Sequence, residues 1–327
     1  MNKGFRSLSG SNDKDSMLSS VALLYYGEGL TQSEIAKRFQ LSRATIVNML
    51  RECRERGIVE IRVDGQLFAA STMSRDLRDM YGLQDVYVAK DAAEDVTTAR
   101  EDLLAHVARV AAMAVLDIVE PGDRIGVAWG ETIAAVARAI PRSTVVQTQV
   151  CQLIGSQDSE RVPASEFCAI EVANKLGASC HTLHAPGIVS SEALAKGLRE
   201  EPTIRTQLAR LSRIDMTIAS IGHVEDDTHM AAAGISTRAE LQLAREKGAR
   251  GIICCRYIDE NGAEVRSAPY DRIIAATIED MKAAPKRLLV VCGTDRLTAT
   301  RAALKGGLVT HLVVDQQLAK ALSGGAP

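Results

Sequence analysis

The chain lacks the features that would place it in a membrane or outside the cell. No apolar run approaches the roughly 20 residues needed to span a bilayer, and residues 1–10 (MNKGFRSLSG) contain no apolar core of a signal peptide. Hydrophobic residues make up 46% of the chain and charged residues 24%, which is typical of a globular protein with a full core. We therefore expect a cytoplasmic protein with no membrane partner.

The cysteines also lack any spacing that would indicate a metal site. There are seven, all isolated except the adjacent pair Cys254 and Cys255, and no CxxC motif or Cys/His cluster is present. We expect them to act as small buried hydrophobic residues in a reducing compartment. Adjacent cysteines are strained disulfide partners, so redox sensing is not favoured. Neither a metal nor a cofactor is expected.

Net charge is small as well, because the formal value is -2 for 327 residues. The charge is nevertheless unevenly distributed, since residues 31–62 contain seven basic and four acidic side chains. This pattern places a basic segment on an acidic body. One such segment would bind DNA weakly, and affinity would come from pairing several of them in an oligomer over repeated half-sites.

Residues 30–63 have the pattern of a winged helix-turn-helix. The spacing of their apolar residues predicts two short helices joined by a tight turn, with these side chains facing inward: Ile35, Ala36, Leu41, Ile46 and Leu50. Thr31 and Glu34 are placed to form a capping box, and Ser42 can cap the second helix. After Gly57, residues 58–63 (IVEIRV) alternate as a short strand does, which predicts a wing.

In this motif the N-terminal residues of the second helix enter the major groove of DNA. Arginine matches the guanine edge, asparagine matches adenine, and threonine offers a methyl group to thymine, while Gln32 is placed to contact the DNA backbone. The candidate DNA-binding residues are Gln32, Ser42, Arg43, Ala44, Thr45, Asn48 and Arg51. The alternative interpretation is an amphipathic helical hairpin that packs on the rest of the protein.

The pattern along the chain predicts three parts. Residues 1–16 are expected to be a flexible tail, residues 17–65 a DNA-binding domain that starts with a helix at 17–27, and residues 66–327 an effector and oligomerisation domain that starts with a helix at 68–81. From Asp85 onward, short apolar runs alternate with helical segments. The runs are 85–89, 124–129, 145–154, 180–185, 216–222, 251–258, 286–293 and 311–315. Their alternation predicts a doubly wound, parallel-rich α/β sheet with helices on both faces.

Ligands of such sheets bind beyond the carboxyl ends of the strands. Gly130 permits a tight turn there, and Glu131 and Thr132 begin a helix whose amides suit a phosphate or a polyol hydroxyl. Other strand ends and turns add further candidate effector-binding residues: Gln152, Gly155, Ser156, Gly222, His223, Asp271 and Lys305. Each also has a structural explanation as a turn glycine, a cap or a solvated cation. His223 has no sequence neighbour that would make it a general base.

The motifs resemble those of the SorC family of bacterial sugar-responsive transcription regulators over nearly the whole chain. The matching segments are 24–36 (LYYGEGLTQSEIA), 41–50 (LSRATIVNML), 56–61 (RGIVEI), 122–133 (GDRIGVAWGETI), 176–186 (LGASCHTLHAP), 271–281 (DRIIAATIEDM) and 303–315 (ALKGGLVTHLVVD). The resemblance implies a fold like those of ribose-5-phosphate isomerase and glucosamine-6-phosphate deaminase, used for sensing. It also implies effector contacts from residues 130–132, the Gly155 loop and Lys305.

This chain departs from the family pattern at two places. Family members commonly have Gly-Arg-Phe where this chain has Cys255, Arg256 and Tyr257, and a small residue where it has His223. These departures bear on the identity of the effector more than on the fold.

We therefore predict a non-enzymatic regulator of carbohydrate or polyol catabolism. Its expected partners are a double-stranded DNA operator, a small sugar, polyol or sugar-phosphate effector, and other copies of itself, with a tetramer favoured but a dimer left open. One alternative is a sugar-phosphate isomerase or deaminase with an appended DNA-binding module, for which Glu131, Asp158, His223 and Asp271 are candidate acid-base groups. Another is a DNA-binding architectural protein without sequence preference or effector.

Overall fold

The computed structural model describes residues 11–59, 61, 65–90, 100–157, 159 and 162–324. The chain divides into two compact units between residues 62 and 63. The boundary expected from the sequence lies three residues further on, after residue 65. Among the described residues, no helix is both long and apolar enough to cross a lipid bilayer.

The helices and strands have the following bounds. The helices are α1 (Ser11–Ala22), α2 (Gln32–Phe39), α3 (Arg43–Glu55), α4 (Gln66–Ala69), α5 (Thr72–Tyr81), α6 (Arg100–Ile118), α7 (Glu131–Ala139), α8 (Ser165–Leu176), α9 (Glu192–Glu200), α10 (Pro202–Leu211), α11 (His229–Ala232), α12 (Arg238–Glu246), α13 (Ile278–Ala283), α14 (Leu297–Lys305) and α15 (Gln316–Ser323). The strands are β1 (Asp85–Ala89), β2 (Arg124–Val127), β3 (Gln149–Gln152), β4 (Ser179–His181), β5 (Met216–Ala219), β6 (Gly251–Ile253), β7 (Arg256–Ile258), β8 (Glu264–Val265), β9 (Lys286–Val291) and β10 (His311–Asp315).

The first unit has the predicted helix-turn-helix. Thr31 and Glu34 form a capping box at the start of α2, and the Ser42 hydroxyl accepts a hydrogen bond from the Thr45 amide at the start of α3. Gln40 ends α2 in the left-handed conformation, with φ 56°, which makes the tight turn. The inward faces of the helices bury the core Val21, Leu24, Ile35, Ala36, Ile46 and Leu50.

Two features of this unit differ from the expectation or lie outside the described residues. The first helix begins at Ser11, six residues before the helix start predicted at residue 17. Two ion pairs hold this segment to α3, one between Lys14 and Glu52 at 2.7 Å and one between Asp15 and Arg56 at 2.6 Å. The predicted wing falls largely on residues 60, 62 and 63, outside the described residues, and its described residues, 58, 59 and 61, are not in a strand.

The second unit contains a seven-stranded sheet of order β1-β10-β9-β5-β2-β3-β4, in which all neighbouring strands are parallel. Its central strands are apolar and buried, as expected of a sheet covered on both faces. The predicted parallel α/β architecture is confirmed. β1 and β10 have the bounds of the apolar runs that predicted them, whereas other strands are shorter than their runs. β2, for example, ends at Val127, two residues before the end of its run at Trp129.

Helices cover the sheet and connect its strands. Helices α6, α7 and α8 pack side by side, while α5 and α14 both pack against α15. The connecting helix predicted at 68–81 is divided into α4 and α5, because Ser71 has an extended conformation and caps α5 through its hydroxyl. The large core joins side chains from most of these elements, including Tyr87, Val115, Ile125 and Val290.

The run at 251–258 is not a strand of the parallel sheet, which corrects the sequence prediction. It forms the hairpin β6–β7, which pairs with β8 as a separate antiparallel sheet. The turn residues Cys254 and Cys255 have φ values of 47° and 62°. Positive φ at both central positions is what a two-residue hairpin of type I′ requires, and it is normally supplied by Asn-Gly. Two cysteines give no such signal, so the turn was not recognised in the sequence.

Candidate functional site

The outer face of α3 is the candidate DNA-binding surface. Arg43, Ala44, Asn48 and Arg51 are exposed on it, while Thr45 is half-buried. Ile46 and Leu50, on the opposite face, are fixed in the core of the unit. This arrangement leaves the polar side chains of the helix on the side away from its support, as groove binding requires.

Several of the candidate DNA-binding residues form hydrogen bonds with one another. The Arg43 Nε donates to Gln32 Oε1 at 3.3 Å, and Arg51 Nη2 donates to Asn48 Oδ1 at 3.2 Å. The Ser42 and Thr45 hydroxyls are 2.8 Å apart within the helix cap. Gln32 therefore supports Arg43, while Ser42 and Thr45 use their hydroxyls locally.

A cavity of about 370 Å³ lies at the carboxyl edge of the parallel sheet. Its walls come from the chain segments that follow β2, β5 and β9, three adjacent strands in the centre of the sheet. The connections from β2 and β5 run toward opposite edges, so the cavity lies at the point where strand order reverses. This is where ligands bind in open α/β sheets.

Five of the predicted effector residues line this cavity: Gly130, Glu131, Thr132, Gly222 and His223. The helix α7 begins at its wall with Gly130, which has φ 104°, and no side chain caps the helix. The first amides of a helix have no partner within the helix. They and the helix dipole favour an anion or an oxygen-rich ligand at this position.

Arg296 is the main buried charge of the cavity wall, with 17% of its side chain exposed. Its Nη1 donates to the Cys292 carbonyl at 2.6 Å and lies 3.2 Å from Asp295 Oδ2. Burial lowers the pKa of the guanidinium from its ordinary value, while Asp295 acts in the opposite direction. Arg100, which also lines the cavity, lies 3.7 Å from the same Asp295 carboxylate. Two cations therefore share one aspartate at this edge.

His223 is oriented by neighbouring polar groups. Its Nδ1 accepts a hydrogen bond from the Glu225 amide at 3.3 Å, which leaves the proton on Nε2. Nε2 lies 3.6 Å from Asp295 and 3.8 Å from Asp227. The ring thus lies between the carboxylates of Asp295 and Asp227, neither of which was among the predicted effector residues.

His229 contributes a second imidazole to the cavity. It packs edge-on against Trp129, with ring centroids 5.2 Å apart, and its burial lowers its pKa to about 4. A Cβ on Gly222 would lie 2.7 Å from His229 Cε1, so only glycine leaves room for this ring. A neutral imidazole can donate one hydrogen bond and accept another, which suits a hydroxylated ligand.

The turn of the β6–β7 hairpin brings Cys254 to the cavity wall. Burial raises the pKa of its thiol to about 12, so it is a neutral group at physiological pH. Cys255 is buried in the same apolar cluster as Trp129, and burial raises the pKa of its thiol. Cys254 thus lines the cavity itself, and Cys255 packs with Trp129, which is another residue of the cavity wall.

Three predicted residues near β3 lie outside the cavity lining. Gln152 is buried, donates to Ile154 O and Ser165 Oγ, and accepts from the Leu183 amide. The backbone of Gly155 runs against the 185–187 segment, and a Cβ there would lie 2.3 Å from a carbonyl oxygen. Ser156 pairs its backbone with the same segment. Gln152, Gly155 and Ser156 therefore form contacts between neighbouring loops, through the side chain of Gln152 and the backbones of the other two.

The remaining two predicted residues also lie apart from the cavity. Asp271 is exposed in the 3₁₀ turn Tyr270–Arg272, and its carbonyl accepts a long hydrogen bond of 3.5 Å from Arg199. Lys305 is exposed at the last position of α14, which returns from the carboxyl end of β9 to the start of β10. It therefore lies toward the opposite edge of the sheet from the cavity. Effector contacts from these residues stay predictions.

The sequence analysis missed several lining residues, among them Arg100, Trp129, Thr228, His229 and Arg296. Arg296 had a usable signal, because it follows the strand end at β9 in the segment 293–296 (GTDR). Thr228 and His229 had none, since they lie six and seven residues beyond Gly222 and their placement depends on the small helix α11.

Two histidines of this unit, His229 on the cavity wall and the buried His311, predict a dependence of stability on pH. Burial lowers the pKa of His229 and of His311 to about 4, below the ordinary value of 6.5. The unfolded chain therefore binds protons that the folded chain excludes, so stability is full above pH 6.5 and is lost as pH falls toward 4. We expect a loss of up to about 2 kcal/mol per histidine between pH 7.5 and pH 5.

Urea unfolding at pH 7.5, 6 and 5 measures this loss. The variant His229→Phe keeps a planar ring but cannot titrate, so its stability should change less with pH than that of the wild type. An identical pH dependence in the variant would contradict the assignment.

Two family models match the chain in succession. The one described as "Putative sugar-binding domain" matches residues 66–323, and the MarR family model matches residues 21–66. The first match alone covers more than half of the chain and includes the whole cavity.

Several proteins are similar to the chain over nearly their full lengths. It is 31% identical to the uncharacterized transcriptional regulator YjhU of Escherichia coli strain K12, covering 91% of this chain and 92% of that protein. It is 23% identical to the sorbitol operon regulator of Klebsiella pneumoniae, covering 95% and 98%. Identity to the erythritol catabolism regulatory protein EryD of Brucella abortus is 25%, covering 95% and 97%.

Solved structures show the same fold. The full-length sorbitol operon regulator SorC from Klebsiella pneumoniae superposes with a TM-score of 0.74 at 22% identity, covering 94% of this chain and 98% of that one. The structure described as "a domain of a possible sugar-binding transcriptional regulator" from Arthrobacter aurescens TC1 has a TM-score of 0.70 at 23% identity, covering 77% of this chain and 97% of that one. The chain therefore belongs to the SorC family of transcriptional regulators, in which a helix-turn-helix domain precedes a sugar-binding domain.

Proposed function

We propose that this protein regulates the transcription of genes for carbohydrate or polyol catabolism. A small sugar, polyol or sugar phosphate binds in the cavity at the carboxyl edge of the sheet and changes the affinity of the α3 surface for an operator. The proposal draws on the names of two relatives, which refer to the sorbitol operon and to erythritol catabolism. Because the operator is DNA, we place this function in the cytoplasm.

The observation that carries the effector proposal is the pairing of Arg296 with the uncapped start of α7 on the wall of one cavity. A guanidinium and free helix amides are the groups that bind phosphate oxygens. Thr132, His223 and His229, which line the same cavity, suit the hydroxyls of a sugar or polyol. We therefore favour a phosphorylated effector over a free one.

Two arguments connect effector binding to DNA binding. Each helix-turn-helix has few contacts to offer, so several copies of the chain, as a dimer or a tetramer, would place two or more α3 surfaces on repeated half-sites. The effector can act only through different affinities for two arrangements of that oligomer. A coupling of about 1 to 3 kcal/mol is the usual size.

Thermal unfolding of the full-length protein with matched ligand pairs tests the effector proposal. Ribose and ribose 5-phosphate, or sorbitol and sorbitol 6-phosphate, differ only in the anionic group, and inorganic phosphate is the control. A ligand at 100 times its Kd stabilises the folded state by about 2.7 kcal/mol, which should raise Tm by about 5 to 10 °C in a domain of this size.

The pattern of shifts discriminates between the proposals. Shifts confined to sugar phosphates support the Arg296 site, whereas shifts with free polyols alone would contradict it. No shift with any compound would contradict the sensing function itself. Incubation of each hit with the protein, followed by product analysis, tests the isomerase or deaminase alternative, because a regulator releases its effector unchanged.

A further inference from the structure

An apolar side chain lies among the polar residues of the α3 surface. Val47 is 42% exposed, and it was not among the residues that the sequence indicated as DNA contacts. It is one helical turn from Arg43 and one turn from Arg51, and all three lie within an arc of about 140° that also contains Ala44 and Asn48, given about 100° per residue. It is one of the exposed large hydrophobic residues among those that the structure describes.

The polar neighbours of Val47 are already engaged with each other. Arg43 is joined to Gln32 by a hydrogen bond, and Arg51 is joined to Asn48 by another. These pairs flank the valine, which lies between the two arginines on the helix surface with Ala44 beside it. Valine is stiff at χ1 in a helix, so its methyl groups have a fixed position on this face.

We propose that Val47 contacts the C5 methyl group of a thymine in the operator and thereby selects A·T pairs at one position of each half-site. This inference rests on the DNA-binding part of the proposed function. The thymine methyl is the apolar feature of the major groove, and apolar side chains are its usual contact. Arg43 and Arg51 on either side favour DNA over a protein partner, because they would lie beside phosphates or guanines.

The test compares thymine with uracil, which differs only by that methyl group. Duplexes bound by the full-length wild type are first selected from a random library, and each thymine in the selected site is then replaced singly by uracil. Fluorescence anisotropy at one fixed salt concentration gives Kd for wild type, Val47→Ala and the control Arg38→Ala. Arg38 is exposed on α2 and outside the α3 surface.

We expect one thymine position at which uracil weakens wild-type binding about fourfold, the effect of burying one methyl-sized group. At that position Val47→Ala should bind thymine and uracil duplexes equally, while Arg38→Ala should keep the wild-type ratio. Equal ratios for wild type and Val47→Ala at every position would overturn the inference. A change in oligomeric state of Val47→Ala, measured by sedimentation, together with an unchanged ratio would instead assign the valine to a protein contact.

Failure of the inference can be told apart from failure of the proposed function. If the wild type enriches no sequence from the library, the proposed regulator function is wrong. If it enriches a sequence whose thymines can all be replaced by uracil without loss, only the role of Val47 is wrong.

Discussion

Replacement of Arg296 by methionine should weaken binding of a phosphorylated effector about 10- to 150-fold, the loss expected for a charged hydrogen bond. Methionine keeps much of the buried volume but has no donor for phosphate oxygens. Arg296 is the less exposed of the two arginines that line the cavity, and the start of α7 lies in the same wall. The DNA complex of this variant should therefore stop responding to the effector. Isothermal titration and effector-dependent anisotropy of a labelled operator measure the two effects.

Lys305→Ala is the matched control for this experiment. Lys305 lies at the other end of the same helix segment, is exposed, and was expected from the family resemblance to contact the effector. From its position we expect wild-type effector affinity in this variant. If Lys305→Ala loses affinity and Arg296→Met does not, the effector site lies elsewhere. A melting temperature close to that of the wild type for both variants would show that the fold is intact.

Replacement of Arg43 by alanine should abolish specific DNA binding and leave thermal stability nearly unchanged. Arg43 is exposed, and its one hydrogen bond with a described residue is to Gln32, so little packing is lost. Loss of a bidentate contact to guanine costs about 1 to 3 kcal/mol per half-site. Two half-sites would together weaken binding by about 30-fold to 10⁴-fold. Anisotropy titrations with selected and scrambled duplexes measure this loss.

Gln32→Ala serves as the comparison variant in the same experiment. It removes the side chain that orients Arg43 but keeps the arginine that would contact DNA. Without the Gln32 amide, Arg43 keeps its charge but loses its fixed orientation, so specific binding should weaken less than in Arg43→Ala. Nonspecific binding, and its dependence on salt, should stay near the wild-type level for Gln32→Ala. An equal loss of melting temperature and of DNA affinity in Arg43→Ala would show that the arginine is structural.

The cysteine turn shows how a local departure from the family pattern is accommodated. Cys255 stands where the family resemblance implies a glycine, and the structure gives this residue φ 62°. A residue other than glycine in this conformation costs roughly 1 kcal/mol or more. Burial of the Cys255 sulfur beside Trp129 offsets part of that cost. Cys255 thus completes the hairpin turn and packs beside Trp129, which lines the cavity.

Several features could be predicted from the residues alone because they depend on neighbours in the chain. The caps at Thr31 and Ser42, the inward faces of α2 and α3, and the alternation of strands with helices are all local in this sense. Each is set by side chains within three or four positions of one another. The family resemblance then extended these patterns to the whole chain, and the family models matched the same segments.

The sequence by itself thus determined the helix-turn-helix, the parallel α/β class and the helix start at Gly130. Only the tertiary structure decided which strand ends meet, because strand order places β2, β5 and β9 together although 162 residues separate the start of β2 from the start of β9. That convergence brought Arg296 and His229 to the cavity and left Gln152 and Lys305 outside it. A binding site depends on contacts between distant segments, and no local pattern in the chain specifies those contacts.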